Sequence, residues 1–438
     1  RLRIEGHSVM PFRHDIRSAP VPGCVDGWLT LHARFGRLPL ADVLEPARHY
    51  AEDGFPAAAT LAAAAQRLGP VDHADDFTAG GPLHPGDLVK RPGVARTLAA
   101  LAEDGRDAFY RGEFGEGLLA LGKGEYTEDD LARSQAEWVG PLEVSAWGHR
   151  IWTTPPPSQG YLTLSGAWIA EKLDLPGDPA DPLWAHLTIE AARQAAHDRH
   201  DVLHEGADSR DLLAPDRLQP RLLAIDPDGA APLGDEYAAG GTIHLAAVDK
   251  DRMGVSLIQS NAAGFGSLLV VPGVRIFLQN RGIGFSLVEG HPAEYGPGRR
   301  PPHTLSPGLV TRPDGSLRHV IGTMGGDSQP QILLQLLARL LHTRQSPGAA
   351  IAAGRWALAA QAPGSGFDTW NQSGRVRVQV EGHAPPTWDE GLRQRGHAVW
   401  RTDAFGHGFG HAHVIAVEDD HLAGASDPRS RAGAAAGY

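Results

Sequence analysis

Cysteine is almost missing: Cys24 is the only one in 438 residues. A lone thiol closes no disulfide, so stability must come from packing, and the chain is compatible with a reducing compartment. Basic charge is also in short supply. Forty Lys and Arg face fifty-two Asp and Glu, for a net charge of −12. Nucleic acid and anionic membrane surfaces both demand a basic footprint, so neither is expected as the main partner. No apolar run approaches the roughly 20 residues of a membrane span. The opening stretch RLRIEGHSVMPFRHD has neither an initiator Met nor an apolar signal core. It reads as a fragment whose true N-terminus, with any leader, lies upstream. The cytoplasm is the expected location, with a periplasmic or secreted leader left open. What is present is ordinary for a globular protein: 42% hydrophobic and 21% charged residues, enough for a sizeable core. The length fits one large domain or two ordinary ones.

The first half reads mainly helical. GCVDGWLTLHARFG, ADVLEPARHYAEDG, GVARTLAALAEDG and WAHLTIEAARQAAHDRHDVLHEG carry apolar residues at three- and four-residue spacing. PLEVSAWGHRIWTTPPPSQG interrupts them as a strand pair closed by a proline run. From about residue 240 the texture changes. TIHLAAVD, GVSLIQS, RIFLQN, LSPGLVT and LRHVIGT are short β-rich runs punctuated by Gly, Asp-Gly or Asn. QPQILLQLLARLLHTR then predicts a helix buried on more than one face, and RVRVQVEG, HAVWRT and HVIAVED return to strands. PRLLAIDPDGAAPLGDEYAAGG between the halves reads as an exposed connector. Helices beside a strand-rich block imply α/β or α+β.

Four features invite chemistry. Gly240 and Gly241 stand directly before Thr242 and a strand, a costly way to begin one, since glycine loses the most backbone freedom on ordering. A threonine hydroxyl is a weak nucleophile unless a base lies beside it. A free α-amine on the same residue, with a pKa near about 8, can be that base. Cleavage would have to expose it. Taken alone, a glycine turn before an ordinary strand threonine is the better account. Gly325 and Gly326, between a strand and a long helix, put adjacent amides where an oxyanion could bind, although a plain tight turn also fits. His197, His200 and His204, and His407, His411 and His413, are grouped like metal ligands. With no HExxH motif and 22 histidines in the chain, hydrogen-bonded or surface imidazoles are the preferred account. Arg299 and Arg300 suit either a carboxylate fork or a solvated loop.

Taken in order, the motifs carry more than any one of them. VPGCVDGWLTLHARFGRLPLADVLEPA, GRDAFYRGE, TTPPPSQG, TIHLAAVDKD, GFGS, RRPPHTLSP, MGGDSQPQ and the terminal GASDPRSRAGAAAGY resemble the γ-glutamyltransferases, also called glutathione hydrolases. These are N-terminal-nucleophile hydrolases. The resemblance implies an α+β fold, a four-layer αββα sandwich. It implies cleavage between Gly241 and Thr242, so that residues 1–241 form a truncated, mostly helical large-subunit region ending in a processing linker. Residues 242–438 would form the small-subunit region, both intertwined in one domain. Thr242 would attack the amide carbon of a γ-glutamyl or related acyl amide such as glutathione and pass the acyl group to water or an amine. Ser260 stands where the family often has a threonine that bonds the nucleophile, and Gly325 and Gly326 match its oxyanion pair. Asn280, Arg281, His303 and Thr304 fall at substrate-contact positions.

Some positions depart from the pattern. Gly284 takes the place of the aspartate that binds glutamate's amine, Arg281 replaces a usual glutamine, and His303 and Thr304 replace a serine pair at the α-carboxylate. The carboxylate-binding arginine would lie upstream of Arg1. SLIQSN, GFGS, QNRG and PPPSQG look like a divergent branch that includes cephalosporin-acylase-like proteins. No cofactor or metal is implied. The partners expected are a small-molecule amide and the chain's own second fragment, in a heterodimer open to further oligomerisation. The competing readings are a catalytically idle binding relative, an acylase for non-glutamyl groups and, more remotely, a histidine-based metal hydrolase.

Overall fold

The structure, a computed structural model, describes residues 1–233, 242–359 and 377–437. Two compact units share the chain: Arg1–Trp138 with Asn261–Ile283, and Val139–Ser260 with Gly284–Tyr438. Each unit draws on residues before and after Thr242. The packing division therefore crosses the boundary expected from cleavage.

The first unit is helical, as the spacing predicted. Its main helices are Cys24–Phe35, Leu40–Asp53, Pro92–Asp104 and Glu113–Gly122. Gly54 (φ +101°) and Gly105 (φ +64°) end two of them in a conformation that side chains resist. Leu98, Leu101, Phe109, Phe114 and Leu118 share a core with Val271, Val274 and Leu278 from the later segment. Buried Asp26 is held by Arg106 Nε at 2.7 Å and the Gln135 amide at 2.7 Å, which compensates its desolvation. The expected strand in RIFLQN shrinks to Ile276–Phe277, paired only with Val270–Val271. The next residues turn away, because Gln279 and Asn280 use their side chains to bond the backbone at Pro20 and Phe12.

The second unit is built on a six-stranded antiparallel sheet. Its order is Leu422–Ser426, His411–Val417, Leu317–Met324, Gly308–Thr311, His149–Thr153 and Leu142–Ala146. The predicted strand pair closes through Trp147 and Gly148, both at positive φ, the tight turn that antiparallel hairpins favour. Helices Tyr161–Lys172 and Gln329–Leu337 cover one face, and Pro182–Ala196 packs against both of them. Their Leu164, Ile189 and Leu334 join Val310, Ile321 and Val414 of the sheet in one core. A separate hairpin, Ile243–Val248 with Gly254–Gln259, lies against Leu317–Met324 and His411–Val417. The central strand is thus buried from His319 to Thr323, which explains why its sequence does not alternate.

The long apolar helix is buried at every position from Gln329 to Leu341, with its last turn widened at Ala338–His342. The connector is less open than expected, since PRLL belongs to the helix Pro215–Leu223; Gly240 and Gly241 lie outside the described residues. The predicted helix over residues 184–206 stops at Ala196, and a short turn follows at Arg199–Val202. Among the described residues no helix is long and apolar enough to cross a membrane.

One contact sets how closely the hairpin approaches the sheet. A Cβ on Gly322 would lie 2.2 Å from His244 Nε2. Gly322→Ala is therefore expected to push the hairpin outward and cost about 1–3 kcal/mol, seen as a lower urea midpoint. Gly348→Ala, at a helical site with open space around the glycine, should cost nothing.

Candidate active site

The hairpin and the central strand run in register, and three contacts give the direction. A Cβ on Gly254 would meet Leu317 and Val320. Further along, Ser256 Oγ donates to the Ile321 carbonyl at 3.1 Å, and His244, paired with Ile258, lies over Gly322. Rising residue numbers on Gly254–Gln259 thus follow rising numbers on Leu317–Met324. The open end of the hairpin, Thr242 and Ser260, consequently sits at the Met324–Gly325 end of the sheet. There the half-buried Thr242 donates from Oγ1 to Ser260 Oγ at 3.2 Å. Two residues eighteen apart in sequence meet because Ile243 pairs with Gln259.

The turn after the central strand has the backbone of an anion cradle. Gly325 (φ +145°) and Gly326 (φ +58°) both lie in the region that favours glycine. A Cβ on Gly325 would fall 2.8 Å from Ser328 Oγ and 3.2 Å from Ile332 Cδ1. The two carbonyls are engaged: Ser328 Oγ donates to Gly325 O at 2.7 Å, and Gln159 Nε2 to Gly326 O at 2.9 Å. Among the described residues neither amide donates elsewhere. Asp327, next in the turn, pairs with buried Arg199 at 3.3 Å. The helix Gln329–Leu337 begins immediately afterwards, adding its N-terminal dipole to an anion at this end.

Gln159, fully buried in the PPPSQG motif, is the residue that sequence reasoning quoted without singling out. Its Nε2 also donates to Thr304 O at 3.0 Å, so one amide ties the His303–Thr304 loop to the glycine turn. His303 pairs through its backbone with Pro157 and Gln159, and Thr304 is buried. The other two expected substrate contacts belong to the first unit. Asn280 is fully buried, its Oδ1 accepting from the Ala263 amide and its Nδ2 donating to Phe12 O. With both ends of its amide committed to backbone, it holds a loop together. Arg281 opens the short turn Arg281–Gly284, with its amide donating to Gln279 Oε1.

Gly284 belongs to the second unit and is tightly confined there. A Cβ there would lie 2.1 Å from the Pro302 carbonyl oxygen. The position is closed to any side chain unless the backbone moves. Arg299 takes its carboxylate from within, pairing with Glu205 at 3.2 Å.

The histidines group differently from their sequence spacing. His197 bonds Gln194 O at the helix end, and His200 packs on His291 with ring centroids 4.6 Å apart. His186, Glu190 and His397 bring ligand atoms within 4.8 Å of one another. All three are committed: His186 bonds Asp226 O and His397, while Glu190 accepts from Arg193 and the Ala231 amide. That is a satisfied buried network. His407 Nδ1 and His411 Nε2 lie 2.9 Å apart, and the His413 ring is 5.8 Å from that of His244. Burial, with His413 alongside, pushes His244 down to about 3.

A sequence model described as gamma-glutamyltranspeptidase matches residues 5–438. The chain belongs to that family. It is 36% identical to the oxamate amidohydrolase proenzyme of Klebsiella pneumoniae over 99% of this chain and 83% of that protein. It is 33% identical to a glutathione hydrolase-like proenzyme of Bacillus subtilis, with the same coverage of both. Among solved structures, cephalosporin acylase from Bacillus halodurans superposes with a TM-score of 0.85 at 31% identity, covering 98% of this chain and 80% of that one. The α+β N-terminal-nucleophile hydrolase fold implied by the motifs is thereby shown, and γ-glutamyltranspeptidase-family membership makes the chain an amidohydrolase in the broad sense.

Two outcomes test the geometry. Gly325→Ala imposes a Cβ on a strained turn and a filled space, so turnover should fall by a factor of about 100 or more while the protein stays folded. A fall below tenfold in kcat would remove the turn from the oxyanion role. For pH, His244, His319 and His397 are each held to about 3 by burial, against an unfolded value near about 6.5. Between these values the unfolded chain binds more protons, so stability must fall as pH drops from 6.5 towards 4. Each histidine contributes up to about 1.4 kcal/mol per pH unit. His244→Gln should flatten the slope of melting temperature against pH, and an unchanged slope would remove His244 from this account.

Proposed function

We propose that this chain is a self-processing amidohydrolase whose nucleophile is Thr242, acting on short acyl amides. The observation that carries the reading is the meeting of Thr242 with Ser260 at the same end of the stacked strands as the Gly325–Gly326 turn. Cleavage before Thr242 would give it a free α-amine, and the two fragments would remain together as a heterodimer. The amine takes the hydroxyl proton as Oγ1 attacks the amide carbon, and the tetrahedral oxyanion is received by the amides of Gly325 and Gly326. Ser260 holds the hydroxyl in line. The C–N bond breaks, the leaving amine departs with the proton, and water or an acceptor amine resolves the acyl-enzyme by the reverse sequence.

For the substrate, Gly284 argues for a small acyl group. The carboxylate that would hold a glutamyl ammonium is missing there, and the Pro302 carbonyl occupies the space it would need. The oxamate amidohydrolase of Klebsiella pneumoniae, similar over nearly the whole chain, is consistent with a short acyl amide. A γ-glutamyl donor such as glutathione is the second reading, favoured by the Bacillus subtilis relative's name.

Purified protein should run as two fragments on a denaturing gel, with N-terminal sequencing of the smaller one starting at Thr242. Thr242→Ala should remain one chain and lose at least about a thousandfold in amide hydrolysis. An uncleaved wild type, or an active Thr242→Ala variant, would assign the nucleophile elsewhere. Comparing oxamate with a γ-glutamyl anilide separates the two substrate readings.

A further inference from the structure

We infer that His411, backed by His407, is a specificity-determining residue that hydrogen-bonds the far oxygen of a short polar acyl group on Thr242. The inference rests on the reading of Thr242 as nucleophile. His411 pairs with Met324 on the strand next to the central one. Its intervening neighbours Ala412 and Val414 belong to the helix-side core, whereas His413, two residues along, has its ring 5.8 Å from that of His244 on the hairpin. By the two-residue period of a strand, His411 shares the hairpin-facing side with His413. Thr242 is likewise two residues from His244. Both therefore step from the His244–His413 contact towards the glycine turn.

The loop before His411 is packed onto that turn. Gly410 (φ +77°) lies so close that a Cβ on it would be 2.7 Å from Met324 O and 2.5 Å from Ile332 Cδ1. A Cβ on Gly325 would lie 3.7 Å from Gly410 Cα. Buried Arg355 braces the loop by donating to Phe409 O at 2.7 Å.

The chemistry of the pair suits an acyl oxygen. His407 Nδ1 bonds His411 Nε2 at 2.9 Å, and the His411 ring makes no other hydrogen bond among the described residues. Its Nδ1 is thus available to a ligand. Burial, then His407, push His411 down to about 4, so at neutral pH it is an uncharged imidazole that can donate. With Gly284 unable to carry a side chain, polar recognition of the acyl group has to come from another wall, and His411 supplies it. The substrate class is an amide whose acyl group carries a second oxygen close to the reacting carbonyl, as in oxamate, rather than an unadorned alkyl acyl group.

The test uses processed wild type, His411→Ala, His411→Asn and His407→Ala, assayed with oxamate and with propionamide, which lacks the far oxygen. For oxamate, His411→Ala should raise KM by roughly five- to tenfold, the loss of one hydrogen bond, with little change in kcat. The preference for oxamate over propionamide should shrink by the same factor. His411→Asn, which keeps a donor, should recover most of the affinity, and His407→Ala should fall between the two. Unchanged KM, or a loss in kcat alone, would overturn the inference. Wild type that is cleaved at Thr242 yet hydrolyses a γ-glutamyl anilide in preference to oxamate would also overturn it, while leaving Thr242 as nucleophile intact.

Discussion

The site depends on how closely one hairpin approaches one strand. At Gly322 the central strand has no side chain, and His244 occupies the space where a Cβ would be. Because the hairpin can come that near, Ser256 reaches the Ile321 carbonyl, and the ladder from Gly254 to Gln259 stays in step with the strand beneath it. The step matters more than the contact. A slip of one residue would turn Thr242 away from the sheet, since side chains alternate faces. In register, the hairpin delivers Thr242 and Ser260 to the end of the strand at which the chain turns through Gly325 and Gly326. Thr242 and the glycine turn are therefore positioned by strand packing, while the polar bonds at the site refine the arrangement.

A second constraint lies beneath the site. Arg355, Glu381, Asp427 and Arg429 form a buried network in which Arg355 meets Asp427 at 2.7 Å and Arg429 meets Asp427 at 3.0 Å. Glu381 accepts from Arg429 Nε at 2.8 Å and from the Arg355 amide at 2.8 Å. Burying four charges is costly, and removing one partner leaves another uncompensated. The network nevertheless binds elements far apart in sequence: Asp427 caps the Ala412 amide, and Arg355 holds the Phe409 carbonyl. The terminal GASDPRSRAG motif, far from Thr242 in the chain, thus bears on the loop that flanks the glycine turn. Specific geometry is what the desolvation cost secures here.

Much of the fold was legible because its periods are simple. Helical spacing found Cys24–Phe35, Leu40–Asp53 and Pro92–Asp104, and the solidly apolar run found the helix buried on all sides. Where local reading failed, a side chain had been diverted. RIFLQN is a two-residue strand because Gln279 and Asn280 bond the backbone of other segments. The histidine spacing after Ala196 implied one helical face, but the helix ends there and the rings find partners such as His291. Gln159 was hidden for a related reason. Its two acceptors, Thr304 O and Gly326 O, are distant in the chain, and no spacing rule connects a glutamine with carbonyls so far away.

By itself the sequence determined the element types, the lack of disulfide support, the ordered motifs and the glycine pairs, since each depends on local conformational cost or on residue order. It also marked Gly284 as a departure. The tertiary structure alone decided which groups meet. It brought Ser260 to Thr242 through the Ile243–Gln259 pair, withdrew Asn280 into its own loop, and set the Pro302 carbonyl where a side chain on Gly284 would have to be. Those outcomes follow from long-range register and close packing, which are properties of two segments together and cannot be read from either one.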